Sequence, residues 1–169
     1  TYQKNLIINQ LVNMSRYPLF ILILIFFSFF LLESASAQDG WWKEKKYKDD
    51  FTRQKYALCK KTFKDIGSGF SYQQVSGISK YFDEQVYLNL ISYEKGYYSS
   101  SQAELILSEF MDYFRVSSFT LIRSTRYNTY AFAMGKYKYN INGNKNELEV
   151  SVSLKFYNDA WFIDQIMIN

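Results

Sequence analysis

The sequence of 169 residues contains no histidine, one cysteine, one proline and seven glycines. Without imidazole, the chain cannot form a His-ligated zinc site, a Ser-His-Asp triad or a histidine pH switch. The single cysteine, Cys59, excludes an intramolecular disulfide. It is expected to be a small buried hydrophobic residue, with pairing between two chains as the alternative. The scarcity of glycine and proline excludes collagen-like and linker-rich architectures.

The chain is rich in apolar residues. Hydrophobic residues make up 48% of the sequence, aromatic residues 20% and charged residues 21%. This composition is typical of a folded protein and not of a disordered one, and the length predicts a single domain.

The N-terminal region has the three parts of a secretory signal peptide. Met14 and a positive charge precede an apolar stretch at residues 19–32, and Ala35 and Ala37 form a small-residue cleavage site before Gln38. We therefore expect translation to start at Met14, cleavage after Ala37, and export to the periplasm or the medium, with membrane contact only during export. An uncleaved anchor is the alternative, but this stretch is shorter than the ~20 residues that span a bilayer.

The chain is accordingly divided into a leader at 1–37, a flexible basic segment at 38–50 and one folded domain at 51–169. Residues 43–64 contain nine basic and three acidic side chains and follow Trp41 and Trp42. Rings and cations together suit single-stranded nucleic acid or an anionic membrane. Export argues against nucleic acid, so a membrane-surface adaptor and a solvated basic tail are the two interpretations left.

Hydrophobic spacing in the folded domain predicts helices first. An apolar stripe beginning at Phe51 predicts a helix that stops at Gly67-Ser68-Gly69, and a short second helix follows at 72–82. Alternating residues at 84–91 predict a strand. A third helix is predicted at 102–114, with a capping box formed by Ser101 and Glu104.

The rest of the chain is predicted to be all strand. The strands are expected at residues 118–124, 129–141, 148–157 and 161–168. Asn142-Gly143-Asn144 and Asn158-Asp159 connect the last three strands. Since Asn, Asp and Gly tolerate positive φ, an antiparallel meander is expected.

Five short motifs within 70–169 point to a known architecture. They are Ile78-Ser79-Lys80-Tyr81-Phe82, Tyr98-Ser99-Ser100-Ser101-Gln102-Ala103-Glu104, Phe119, Ala133-Met134-Gly135 and Trp161-Phe162-Ile163-Asp164-Gln165-Ile166. With the α+β order of elements, they resemble the nuclear transport factor 2-like superfamily, and more narrowly a family of secreted bacterial domains of unknown function. The resemblance implies a cone, in which a strongly curved, mostly antiparallel sheet wraps around about three helices and the open end can hold a small ligand.

The resemblance also implies a candidate chemistry, because some relatives are isomerases or dehydratases that use a cavity carboxylate, Tyr or His. Asp164 is the carboxylate candidate, since strict alternation puts it on one strand face with Phe162 and Ile166, and burial raises a carboxyl pKa. The alternative is that Asp164 lies at the cone rim or pairs with a lysine. The candidates for lining a pocket in the cone are Phe82, Phe110, Phe114, Trp161 and Asp164. No metal-ligand spacing is present, and no cofactor is predicted.

The last strand carries large apolar side chains on both predicted faces, for example Trp161 and Ile163 on one and Phe162 and Ile166 on the other. A sheet that is apolar on both sides needs two covers. Helices can cover one side, and the outer side is expected to meet a second copy of the chain, unless the first helix or the basic segment covers it.

Together these patterns favour an exported, non-enzymatic binding module for a small apolar ligand or an envelope protein. An enzyme that uses Asp164 and a membrane-surface adaptor are the alternatives.

Overall fold

The computed structural model describes residues 40–91 and 94–169, in which three helices and six strands follow one another. The helices are α1 (Asp50–Ser71), α2 (Ser76–Ser79) and α3 (Ser100–Tyr113), and the strands are β1 (Phe82–Leu90), β2 (Glu94–Ser99), β3 (Val116–Arg126), β4 (Tyr130–Ile141), β5 (Asn144–Tyr157) and β6 (Ala160–Ile168). The expected signal peptide and its cleavage site lie outside the described residues. Within those residues, no helix is long and apolar enough to cross a membrane.

The strands form one sheet in the order β2-β1-β6-β5-β4-β3. Only the β1–β6 pair is parallel among the strand pairs of the described residues. The predicted meander is confirmed, because β4, β5 and β6 pair in antiparallel fashion. Its turns at Asn142-Gly143 and Asn158-Asp159 have positive φ at both residues, as tight hairpin turns of the I′ type require.

The start and end of α1 follow from different contacts. The Asp49 carboxylate caps the first turn by accepting hydrogen bonds from the backbone N–H groups of Phe51 and Thr52. The predicted stop at Gly67-Ser68-Gly69 is wrong, because the helix continues to Ser71. A Cβ on Gly69 would lie 2.5 Å from Ile78 Cγ1, so this glycine permits close packing against α2.

Two other local predictions are corrected by the structure. The predicted second helix at 72–82 is reduced to the single turn α2. The capping box of α3 consists of Ser99 and Gln102, two residues before the predicted pair, and the helix starts correspondingly earlier. The edge strand β2 was not predicted, because its exposed side chains lack an apolar alternation and only pairing with β1 makes it a strand.

One face of the sheet packs against α1 and α3 and forms the core. The buried residues on this inner face are Val86, Leu88, Leu90, Ala131, Ala133, Tyr137, Val150, Val152, Leu154, Trp161, Ile163, Ile166 and Ile168. Aromatic rings fill the space between the sheet and the helices, with Phe70 5.0 Å from Phe119 and Phe110 6.2 Å from Tyr137 between ring centroids. The interior of the cone is therefore occupied by the chain's own side chains.

The segment predicted to be flexible, 38–50, is packed against the domain through Trp41 and Trp42, whereas residues 43–46 and 48–50 are exposed. Trp41 and Trp42 are each only 6% exposed, and both rings contact Phe63 of α1. The Ser124 hydroxyl donates to the Trp41 carbonyl, and the Arg126 guanidinium donates to the Lys43 carbonyl. Two indole rings have a large apolar surface, and its transfer from water to an adjoining apolar site is favourable.

This packing changes two expectations. Gly40–Asn169 forms one compact unit, so the folded part begins before the expected boundary at residue 51. The tryptophans are also not available to insert into a bilayer, which removes the anchoring residues from the membrane-surface alternative. Cys59 is fully buried in the hydrophobic core, and burial raises the pKa of its thiol to about 12. A buried, protonated thiol fits the expected hydrophobic role and not a disulfide between chains.

A polar cluster around Asp65 ties α1 to the start of β1. The Asp65 carboxylate accepts hydrogen bonds from Tyr81 Oη at 2.6 Å, Lys61 Nζ at 3.0 Å and Lys80 Nζ at 3.2 Å. Partial burial acts to raise the pKa of Asp65, but these three hydrogen bonds outweigh it and lower the pKa to about 2. The ionised form is therefore the one that stabilises the fold.

We expect Asp65→Asn to lower the free energy of unfolding by about 1–2 kcal/mol at pH 7. Because the folded-state pKa lies below the ordinary value of 3.8, this contribution is present above pH ~4 and is lost as the pH falls toward ~2. Urea denaturation across this range should show the gap between the two proteins closing. Asp50→Asn, which breaks an exposed ion pair with Arg53, is the control and should cost less than ~0.5 kcal/mol. An equal loss of unfolding free energy in both variants would contradict a stabilising role for the hydrogen bonds of Asp65.

Candidate functional site

A β-bulge at Asp164 determines which β6 side chains face the core. Ile163 and Gln165 pair with consecutive residues of β5, so Asp164 is an extra residue without a partner on that strand. Ile163 and Ile166 are consequently both buried on the inner face, and Asp164 and Gln165 both lie on the outer face. The predicted strict alternation of β6 is wrong for this reason.

The outer face carries an open depression of about 440 Å³ next to the bulge. Its lining side chains come from four adjacent strands and are Gln85, Tyr87, Tyr97, Lys155, Asp164 and Gln165. Because successive strand residues alternate between faces, these residues lie on the opposite side of the sheet from the helices.

Lys155 and Asp164 form an ion pair in this depression. Lys155 Nζ lies 3.2 Å from Asp164 Oδ2, and the Asp164 side chain is only 15% exposed. The hydrogen bond to Asp164 raises the pKa of Lys155. The second carboxylate oxygen, Oδ1, is buried and accepts no hydrogen bond from the described residues. A buried acceptor without a donor is unfavourable.

The structure separates Asp164 from the other residues expected to line a pocket. Phe110 and Phe114 lie 4.8 Å apart between centroids, beneath the inner face of the sheet. Phe82 is buried in β1, and the Trp161 indole N–H donates to the Lys55 carbonyl of α1 at 2.9 Å. These four rings belong to the packed core, and Asp164 lies on the other side of the sheet, paired with a lysine as the alternative interpretation expected.

Sequence reasoning did not identify the two tyrosines of the depression. Tyr97 pairs with Tyr87 across β2 and β1, and their rings lie 5.0 Å apart. The alternation at 84–91 did place Tyr87 opposite the apolar residues of its strand. Strand β2 was not predicted, and only its pairing with β1 places Tyr97 beside Tyr87.

Aromatic side chains continue along the outer face beyond the depression. Tyr157 stacks on Phe162 with centroids 4.6 Å apart. The Tyr157 hydroxyl donates to Asp83 Oδ1 at 2.6 Å, which raises the pKa of Tyr157 to about 12. Phe132 of β4 is half-buried in the same row of paired residues as Gln165 and Tyr87.

Residues 63–169 match the model of a protein family described as a domain of unknown function, DUF4783. The chain belongs to the DUF4783 family. The expected resemblance to a bacterial family of unknown function is thereby confirmed. The family description names no activity, and no curated protein matches the chain.

Solved structures similar to this DUF4783 protein show its fold. A DUF4783 family protein from Bacteroides ovatus has 22% identity and a TM-score of 0.56, covering 62% of this chain and 90% of its own. Another from Bacteroides uniformis has 17% identity and a TM-score of 0.58, covering 63% and 94%. An NTF2-like protein from Anabaena variabilis has 14% identity and a TM-score of 0.56, covering 75% and 94%. The fold is NTF2-like, and the predicted α+β architecture is confirmed.

Proposed function

We propose that this DUF4783 protein is an exported, non-enzymatic binding module that recognises protein through the outer face of its sheet, and that its occupant is a second copy of the chain. The observation that carries the proposal is the outer face itself, where partly exposed aromatic and Met side chains adjoin the depression that holds the Lys155–Asp164 ion pair. A partner that packs on this face removes its apolar surface from water.

The composition of the outer face favours a protein over a small molecule. Tyr87, Phe132, Met134, Phe162 and Met167 are partly exposed on adjoining strands, and aromatic and Met side chains are enriched in protein interfaces. The surface that these side chains form extends well beyond the depression. The small apolar ligand expected in the cone is disfavoured, because core rings occupy that space.

A second copy is favoured because the outer face contains groups that complement one another. A two-fold interface brings the same patch together twice, so the patch must contain both donors and acceptors. Here the side-chain amides of Gln85 and Gln165 supply both donors and acceptors, and the Tyr97 hydroxyl supplies a further donor. The side chain of Tyr97 is 72% exposed.

The enzyme alternative loses its geometric support. A carboxylate that removes a proton from carbon works best in an enclosed site, where burial raises its pKa and water is excluded. Asp164 is instead paired with a lysine at an open surface. This arrangement suits recognition better than proton transfer.

Sedimentation equilibrium of the purified protein tests the proposal. The wild type is expected to form a dimer, and Tyr97→Ala is expected to weaken association at least about tenfold, as a central interface tyrosine does. Tyr72→Ala, at the end of α1, is the matched control because Tyr72 is equally exposed, at 73%.

A photo-cross-linker at position 97 identifies the occupant in the producing cells. Cross-links between two copies support the proposal. Cross-links to a different protein would overturn self-association, and a monomer without cross-links would overturn the whole proposal. Equal weakening by Tyr72→Ala would also contradict the assigned surface.

A further inference from the structure

The Lys155–Asp164 ion pair lies among aromatic side chains of the outer face. Lys155 of β5 is paired across the sheet with Tyr130 of β4 on one side and with Phe162 of β6 on the other. Asp164 follows Phe162 two residues further along β6 and is largely buried, whereas the Lys155 side chain is about half exposed. The pair therefore gives an aromatic region of the sheet one positive and one negative charge.

Contacts within one copy of the chain hold the two charges in place. Lys155 Nζ lies 3.2 Å from Asp164 Oδ2, and this hydrogen bond raises the pKa of Lys155, which stays protonated at neutral pH. Asp164 is the extra residue of the β-bulge, which orients its side chain toward the outer face. The charge pattern therefore exists before a second copy arrives.

Apolar side chains alone do not determine how two copies meet. Phe132, Met134 and Met167 are partly exposed on the outer face, and the burial of apolar area is non-directional. Several rotations of one sheet on the other would bury a similar apolar area. A charge pattern distinguishes between these rotations, because like charges that lie opposite one another are strongly unfavourable.

Two-fold symmetry restricts the orientation further, because it brings the same ion pair to the interface twice. If the axis ran along the line from Lys155 to Asp164, each charge would lie opposite its own counterpart and repel it. If the axis instead passes between the two residues, at right angles to that line, Lys155 of each copy lies opposite Asp164 of the other. Since the two residues belong to neighbouring strands, such an axis passes between β5 and β6.

We propose that Lys155 and Asp164 determine which partner and which orientation the outer face accepts. The aromatic and Met side chains supply the affinity, and the two ion pairs reject orientations and partners that place like charges together. This inference rests on the proposed function, because it concerns the second copy that the outer face binds. It goes further by naming the residues that select this copy.

Two single substitutions test whether the charges meet in this way. Lys155→Glu leaves two carboxylates in place of the ion pair, and Asp164→Lys leaves two ammonium groups. A dimer of either variant brings like charges together, so each is expected to dimerise at least about tenfold more weakly than wild type. An equimolar mixture of the two variants is expected to form a heterodimer within about threefold of the wild-type affinity, because opposite charges then face each other.

Sedimentation equilibrium with one variant fluorescently labelled measures these affinities. Low ionic strength is used because salt screens exposed charges. Asp50→Lys and Arg53→Glu are the matched controls, since they invert the charges of an exposed ion pair on α1, on the other side of the sheet. Each control is expected to dimerise within about twofold of wild type.

A double variant keeps the test decisive if a single variant does not fold. Lys155→Met with Asp164→Leu replaces both charges by apolar side chains, and such replacements of ion pairs are often neutral or stabilising. We expect this variant to associate as tightly as wild type or more tightly. It should also form species larger than a dimer, because the orientation is no longer restricted to a closed pair. Sedimentation velocity resolves these species.

Restoration of the dimer in the mixture supports the proposal. Single variants that dimerise as tightly as wild type, or a mixture without a heterodimer, would overturn it and leave the proposed function intact where wild-type association depends on Tyr97. Where a single variant is unfolded, a double variant that forms only a dimer would likewise overturn it. A wild-type protein that stays monomeric would overturn both proposals.

Discussion

Trp42→Ala is expected to lower the free energy of unfolding by about 3–5 kcal/mol, the usual cost of truncating a buried aromatic side chain. Trp42 is 6% exposed, its ring contacts Trp41 and Phe63, and the Arg126 guanidinium lies 4.1 Å from the ring centroid. Alanine leaves a cavity beside α1 and removes this cation–π contact. Urea denaturation monitored by far-UV circular dichroism measures the loss.

Two controls show whether the loss comes from burial of the ring. Lys46→Ala changes an exposed residue of the same segment, and Tyr72→Ala removes an aromatic ring that is exposed to solvent. Each should change the free energy of unfolding by less than ~0.5 kcal/mol. If Trp42→Ala were as stable as wild type, residues 38–50 would be the flexible basic segment that their composition predicts.

Gly135→Ala is expected to lower the free energy of unfolding by about 1–3 kcal/mol through overpacking. A Cβ at this position of β4 would lie 2.4 Å from Phe119 Cζ and 3.0 Å from the backbone oxygen of Thr120. The Phe119 ring also packs against Phe70 and Tyr137, so it cannot move aside without disturbing the aromatic core.

A second substitution tests the mechanism of this loss. Phe119→Leu shortens the side chain that meets the new methyl group, so the double variant Gly135→Ala with Phe119→Leu should lose less stability than the two single losses added together. Gly40→Ala is the control, because no atom lies within 4 Å of a Cβ at Gly40. Additive losses in the double variant would show that crowding against Phe119 is not the cause.

The elements that were predicted correctly depend on local physics. Helix α3 follows from apolar residues at helical spacing, and the meander follows from turn residues that accept positive φ. The errors lie where a contact distant in the chain overrides the local pattern. Gly69 was predicted to end α1 but packs against Ile78, and β2 was not predicted because it becomes a strand only through pairing with β1.

The candidate site shows the same division. Asp164 was singled out from its apolar neighbours on the strand, which is a local signal. Its location depends on the bulge, because one extra residue reverses the face of each side chain that follows. The register shift between β5 and β6 is a property of the pairing, so no pattern within β6 could predict it.

The sequence by itself determined the α+β class, the meander and the absence of histidine chemistry, because these depend on composition, spacing and turn residues. The NTF2-like fold was implied by the resemblance that the five motifs carry. The tertiary structure decided that core rings fill the cone, that Asp164 lies on the outer face, and that Trp41 and Trp42 pack on α1. These three results depend on which surfaces meet after folding. Burial is a property of the assembled elements, and the two large rings of a charged segment are buried where the domain provides a matching apolar site.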